Sequence, residues 1–196
     1  MKLNELSMRA GNLSGHLSNY FNQEIKNIEH YVHVGDIEKI QVFKRDYGTS
    51  GILYILKRDE EYISFSQVFE ISKNRVLLKN TFTVEKYRRQ HVFVNFLFFL
   101  KRNEGYSEIE FDDIHSVDTQ LLIPTLTKRF NISWENKKSG EKVKYSNTDG
   151  DKYYSRSRPT GWVILLENDG DFSDWPKFFE EHRPDNQGYY YWLFQN

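Results

Sequence analysis

The residues with the most chemical potential stand in one run, Tyr87-Arg88-Arg89-Gln90-His91-Val92-Phe93. Guanidinium groups bind phosphate oxygens bidentately, so Arg88 and Arg89 can grip a pyrophosphate. A solvated basic turn is the other reading of the same pair. His115 follows the acidic pair Asp112-Asp113. A histidine here suits a general base, because its pKa lies near neutrality, and it equally suits a hydrogen-bonded loop. The two aspartates can hold a cationic amine or simply end a strand. His30 and His33 have no carboxylate at metal-ligand spacing, so no metal site is expected. Residues 152–158 interleave basic with aromatic side chains, as nucleic-acid-binding loops do, but no basic domain surrounds them. The sequence contains no P-loop, no dinucleotide-binding glycine motif and no nucleophile elbow.

These side chains need elements to position them. Residues 40–47 and 51–58 are rich in β-formers and are joined by Gly48-Thr49-Ser50-Gly51, which predicts a hairpin. Residues 62–71 alternate apolar with polar, and a turn at Lys73-Asn74 leads into 75–84, giving four consecutive antiparallel strands. Residues 91–102 are ambiguous. Their Val and Phe content favours a strand, while their length and charged exit favour a buried helix capped by Gly105. Residues 107–113 read as a strand and 116–130 as a helix. Leu3, Leu6, Leu13, Leu17, Tyr20, Phe21, Ile25 and Ile28 recur near a 3.6 period, so 1–38 is predicted helical, with breaks at Gly11 and Gly15. Residues 135–160 read as a polar excursion with a hairpin turn at 147–151. Then 161–167 returns to strand, 174–182 to a short helix, and the aromatic tail to a final strand.

Composition narrows the class. The chain has 196 residues and no cysteine. That excludes disulfides, thiolate zinc sites and cysteine nucleophiles, and it fits a reducing compartment. The N-terminus has no apolar h-region, so no signal peptide is expected. The longest apolar run, 92–100, is broken by Asn95 and is too short to span a bilayer. A soluble, cytoplasmic protein without a membrane partner is the expectation. The net charge of −1 gives no global attraction to nucleic acid. Basic residues dominate 136–158 and acidic ones 161–196, which suits mutual screening, or a basic loop that binds a partner. The rings of the C-terminus, Tyr189 to Phe194, suit pairing with 161–167 or a homodimer or partner-protein interface.

Strands followed by an arginine-bearing turn, a helix, a strand and a second helix form an order that resembles the GNAT acyltransferase superfamily. The likeness covers about residues 61–134. It is carried by Thr83-Val84-Glu85-Lys86-Tyr87-Arg88-Arg89-Gln90-His91-Val92-Phe93 and by Leu126-Thr127-Lys128-Arg129-Phe130. The resemblance implies an α+β fold: a central, mostly antiparallel sheet flanked by helices, in one domain over 1–196. It divides into a helical part (1–38), a core (40–134), a polar excursion (135–160) and a C-terminal strand-helix-strand (161–196). It also implies an N-acyltransferase that uses acetyl-CoA and an amine-bearing small molecule or protein as acceptor. Arg88, Arg89, Gln90, His91, Val92 and Phe93 would then bind the cofactor pyrophosphate, largely through backbone amides, and His115 would lie near its reactive end. Two positions that are small in the family fall on His91 and Phe93, and the family's tyrosine acid falls near Thr127. Those departures admit the alternative of a non-catalytic GNAT-like protein that binds a protein or nucleic-acid partner.

Overall fold

Strands follow one another along the chain from residue 32 to residue 83. The computed structural model describes residues 15–88, 90–111, 123, 126–127, 130–146, 153 and 161–167. Strands β1 (Val32–Ile37), β2 (Ile40–Asp46), β3 (Ile52–Arg58), β4 (Glu61–Ser72) and β5 (Arg75–Thr83) form an antiparallel meander. Helix α2 (Val92–Arg102) then crosses over to β6 (Glu108–Phe111), which pairs parallel to β5. The strands β7 (Asn131–Asn136), β8 (Lys142–Lys144) and β9 (Trp162–Glu167) complete a nine-stranded sheet in the order β1-β2-β3-β4-β5-β6-β9-β7-β8. Only the β5–β6 step is parallel among the described pairs. A parallel step needs a long crossover, and α2 supplies it. This is the mostly antiparallel α+β sheet that the sequence predicted, with a helix on either face.

The two faces follow from the period of two. Leu53, Ile55 and Phe65 point to one side, where Phe21, Tyr20 and Leu17 of α1 (helical over the described residues 15–25) cover them. Ile52, Tyr54, Leu56, Ile63, Val76 and Leu78 point to the other side, into a core built with Phe96, Leu97, Phe99 and Leu100 of α2. The apolar run that local propensity could not assign is therefore a helix. It is buried nearly all round because it lies between the sheet and Ile123, Leu126 and Phe130. Each such ring or branched side chain contributes about 1.5–3 kcal/mol by burial. Gly51 opens β3 at φ 90°, and a Cβ there would stand 2.8 Å from the Val68 carbonyl, so only glycine fits.

Several expectations need correction. The helical reading of 1–38 runs too far, because β1 pairs with β2 over 32–37, and Gly15 is helical rather than a break. The helical period ends near Ile28, and Val32, Val34 and Ile37 belong to the edge strand. Gly35 lies in a β1 irregularity, with the Phe99 ring 3.3 Å from where its Cβ would stand. α2 ends with Asn103, not Gly105, as its C-cap, and Gly105 follows at φ 79°. The stretch from 135 opens as sheet: β7 runs to Asn136, and a turn at 137–141 leads into β8. The turn expected at 147–151, the helix at 174–182 and the aromatic tail lie outside the described residues. So does most of 116–130, although Thr127 and Phe130 donate helical bonds to Ile123 and Leu126.

Candidate cofactor-binding site

The end of β5 is built differently from the rest of the sheet. Its register with β4 passes from Val68↔Leu78 to Ser66↔Thr81, so Lys79 and Asn80 together oppose Gln67 alone. That two-against-one count is a β-bulge. Asn80 Nδ2 donates to Gln67 Oε1 at 2.7 Å across it. On the other side of β5, the pairing with β6 runs from Arg75↔Glu108 to Leu78↔Phe111 and goes no further among the described residues. The bulge begins at the residue after the last described parallel pair.

The lower, paired part of this junction is fixed by charge. Glu110 is 1% exposed, and its carboxylate accepts from Arg75 Nη2 at 2.7 Å and from Lys137 Nζ at 2.5 Å. Arg75 also reaches Glu135 on β7, at 2.8 Å. Side chains from β5, β6 and β7 are thus locked together on the face opposite α2.

Beyond Thr83 the chain makes one 3₁₀ turn (Glu85–Tyr87) and enters α2 through His91. His91 adopts the left-handed conformation, φ 56° and ψ 12°. This explains the small residue expected here more directly than ligand crowding does: the backbone itself favours glycine. Histidine is among the side chains that tolerate the region at a cost of roughly 1–2 kcal/mol. Among the described residues no side chain caps α2, and its first described helical bond runs from the Asn95 amide to the His91 carbonyl at 2.8 Å. The amides of Val92, Phe93 and Val94 are then the orphan donors of the helix start, at the positive end of its dipole. Such an end receives phosphate. One turn further in, the buried Asn95 Oδ1 has no hydrogen-bond partner among the described residues.

The predicted side chains divide around this end. Arg88 Nε donates to the Thr83 carbonyl at 3.0 Å, so its guanidinium folds back along β5. It lines a cleft of about 370 Å³ against α1, shared with Ser18, Asn22, Phe82 and Glu85. Gln90 is engaged at both ends of its amide, by Arg58 and by the Lys86 carbonyl. Val92 is core, 2% exposed. The Phe93 ring meets Phe111 edge-on, with centroids 6.1 Å apart, so it points to the end of β6 rather than across the helix start. Arg89 and His115, with Asp112 and Asp113, lie outside the described residues.

Sequence reasoning missed three features here: the bulge at Lys79-Asn80, Arg58 and Glu61. Tyr87 donates to Glu61 Oε2 at 2.5 Å, and Lys86 is ion-paired with the same carboxylate. Those two donors hold the Glu61 carboxyl below the usual carboxylate range, and the same contacts push Lys86 and Tyr87 up. The only sequence signal for the bulge is the paired polar residues Lys79 and Asn80, which interrupt the alternation of β5.

No protein-family model matches the chain, and no curated protein matches it in sequence. Solved structures do. One is a GNAT family acetyltransferase from Elizabethkingia anophelis with acetyl-CoA bound. It is 18% identical, over 66% of this chain and 97% of that one, with a TM-score of 0.41. Another is a diaminobutyrate acetyltransferase from Paenibacillus lautus in complex with L-2,4-diaminobutyric acid and coenzyme A. It is 12% identical, over 61% of this chain and 73% of that one, with a TM-score of 0.38. Identities this low and TM-scores below 0.5 add nothing to what strand order and site geometry say by themselves.

Proposed function

We propose that the chain is an acyl-CoA-dependent N-acyltransferase whose cofactor lies between β5 and β6 with its pyrophosphate on the start of α2. The observation that carries this reading is that β5, parallel to β6 as far as Leu78, bulges at Lys79 and Asn80 and leads through one short turn into a helix start with no side-chain cap among the described residues. The bulged end of β5 would offer backbone groups to an extended, amide-bearing arm, and the amides of Val92 to Val94 offer donors to phosphate. Arg88 and Arg89 add charge nearby. Bound acetyl-CoA would supply an acyl group on a thioester, which an amine attacks to form an amide and release the thiol.

The acceptor amine enters on the α1 side. There the Glu85 carboxylate, which has no ion-pair partner among the described residues, lines the cleft and suits a cation. His115, just beyond Phe111, takes the proton as general base. Small molecules and protein termini both fit the amine class, and a cytoplasmic location fits an acyl-CoA donor. Release of free thiol from acetyl-CoA in the presence of a panel of amines, read with a thiol reagent, tests the transfer. No amine-dependent release from any primary amine at saturating acetyl-CoA would overturn it.

The second reading, a binding protein without catalysis, is favoured by one contact. The Phe93 ring packs against Phe111, at the last described pair of β5 and β6. On that reading the rings close the cleft.

A further inference from the structure

Within the turn between β5 and α2 the described hydrogen bonds are the two of the 3₁₀ turn, from the Tyr87 and Arg88 amides, the Arg88 side chain on Thr83 and the Gln90 side chain on the Lys86 carbonyl. Yet it ends in a left-handed histidine, a conformation that persists only when its surroundings enforce it. Among the described residues, the β3–β4 hairpin ties the turn down from outside. Arg58, the last residue of β3, donates from Nη1 to Gln90 Oε1 at 2.8 Å. Gln90 Nε2 donates in turn to the Lys86 carbonyl at 2.8 Å. Glu61, the first residue of β4, takes the Tyr87 hydroxyl and the Lys86 ammonium. The Arg58 guanidinium also lies 5.9 Å from the Tyr87 ring centre.

The turn is thus tied to the hairpin at two points, and Gln90 is the link immediately before His91. With both ends of its amide already used, Gln90 has its hydrogen-bonding groups turned away from a ligand. We infer that Gln90, held by Arg58, is a positioning residue: it fixes the left-handed turn at His91 so that the first amides of α2 converge on an anion. Glu61 and Tyr87 form the second tie of the same clamp. This inference rests on the reading of α2 as a phosphate site.

A polar strut in solvent contributes little to global stability, because exposed hydrogen bonds and ion pairs exchange with water. Its effect belongs instead to preorganisation, where loosening a binding loop raises the ordering cost of binding. Gln90→Met keeps the length of the side chain and removes both hydrogen bonds. The experiment titrates CoA into the wild-type protein, Gln90→Met, Arg58→Met and Glu61→Gln, and reads the melting temperature of each in parallel. Gln90→Met and Arg58→Met should weaken CoA about tenfold with melting temperatures within about 2 °C of wild type. Glu61→Gln, which still accepts from Tyr87, should lose less. Wild-type binding that Gln90→Met leaves unchanged overturns the inference while the phosphate reading stands. Melting temperatures that fall in step with affinity overturn it too, because the clamp would then be ordinary structural support. Absence of wild-type binding removes the phosphate reading itself, and the inference with it.

Discussion

Leu78 on β5 lies opposite Phe111 on β6, and immediately beyond that pair β5 bulges at Lys79 and Asn80. The bend of β5 at this point is therefore a property of the β4–β5 register. The bulge is held by the amide pair Asn80–Gln67. Replacing Gln67 with alanine should cost about 1 kcal/mol and lower the melting temperature by about 2–4 °C. It should also speed hydrogen exchange at Lys79 and Asn80 without changing it at Val76. Equal acceleration at all three would mean that the bulge is no separate unit.

The charged lock at the paired end makes a sharper demand. Arg75→Met leaves the buried Glu110 carboxylate with Lys137 alone. Removing one partner of a buried pair costs about 3–5 kcal/mol, so the melting temperature should drop by roughly 6–15 °C. Adding Glu110→Gln should recover a large part of that loss. A double variant as unstable as the single one would show that Arg75 acts through packing rather than through Glu110.

Phe93 divides the two readings of the site. Phe93→Ala removes the ring that meets Phe111 and should destabilise by about 2–4 kcal/mol, since the side chain is half-buried against the core. If the ring only lines the cleft, CoA affinity changes less than about threefold. If the ring closes the cleft, CoA binds to the variant and not to the wild type, which calorimetry on both proteins separates.

Much of this was legible in the sequence, and for definite reasons. β2 to β5 are rich in β-formers and are separated by Gly48 to Gly51, Asp59 to Glu61 and Lys73-Asn74, so propensity and punctuation agreed. The arginine-bearing turn was legible because it follows the well-marked β5, while Val92 and Phe93 belong to α2, whose type the sequence left open. β1 was lost to helical periodicity that seemed to continue past Ile28, and β7 because its polar residues merged with the lysine-rich stretch after it. Nothing in the sequence shows that His91 is left-handed, since the signal for that conformation is glycine and here it is histidine. The link from Gln90 to Arg58 spans 32 residues. It is created by the β3–β4 hairpin and by no local pattern.

The anchoring of α1 should depend on pH. The Tyr31 and Tyr47 hydroxyls both donate to the Glu24 carboxylate, at 2.7 and 2.6 Å. Burial and the Glu24 carboxylate push the Tyr31 phenol up, and Tyr20 up to about 12. Phenols whose folded pKa is raised stabilise the fold fully below the ordinary value of about 10, and that contribution is lost as pH rises through the folded one. Wild-type melting temperature should therefore fall as pH rises above about 10 toward 12. Tyr31→Phe should start lower and fall less. Parallel curves for the two proteins would show that this cluster does not govern the alkaline limit.

The central claim is that the turn from β5 into α2 receives the phosphates of CoA, and calorimetry of the full chain with CoA tests it most directly. The account predicts micromolar affinity. It also predicts a loss of at least about tenfold, or about 1.4 kcal/mol, in Arg88→Ala/Arg89→Ala. No heat and no thermal shift with millimolar CoA, in a protein that melts cooperatively, would contradict it.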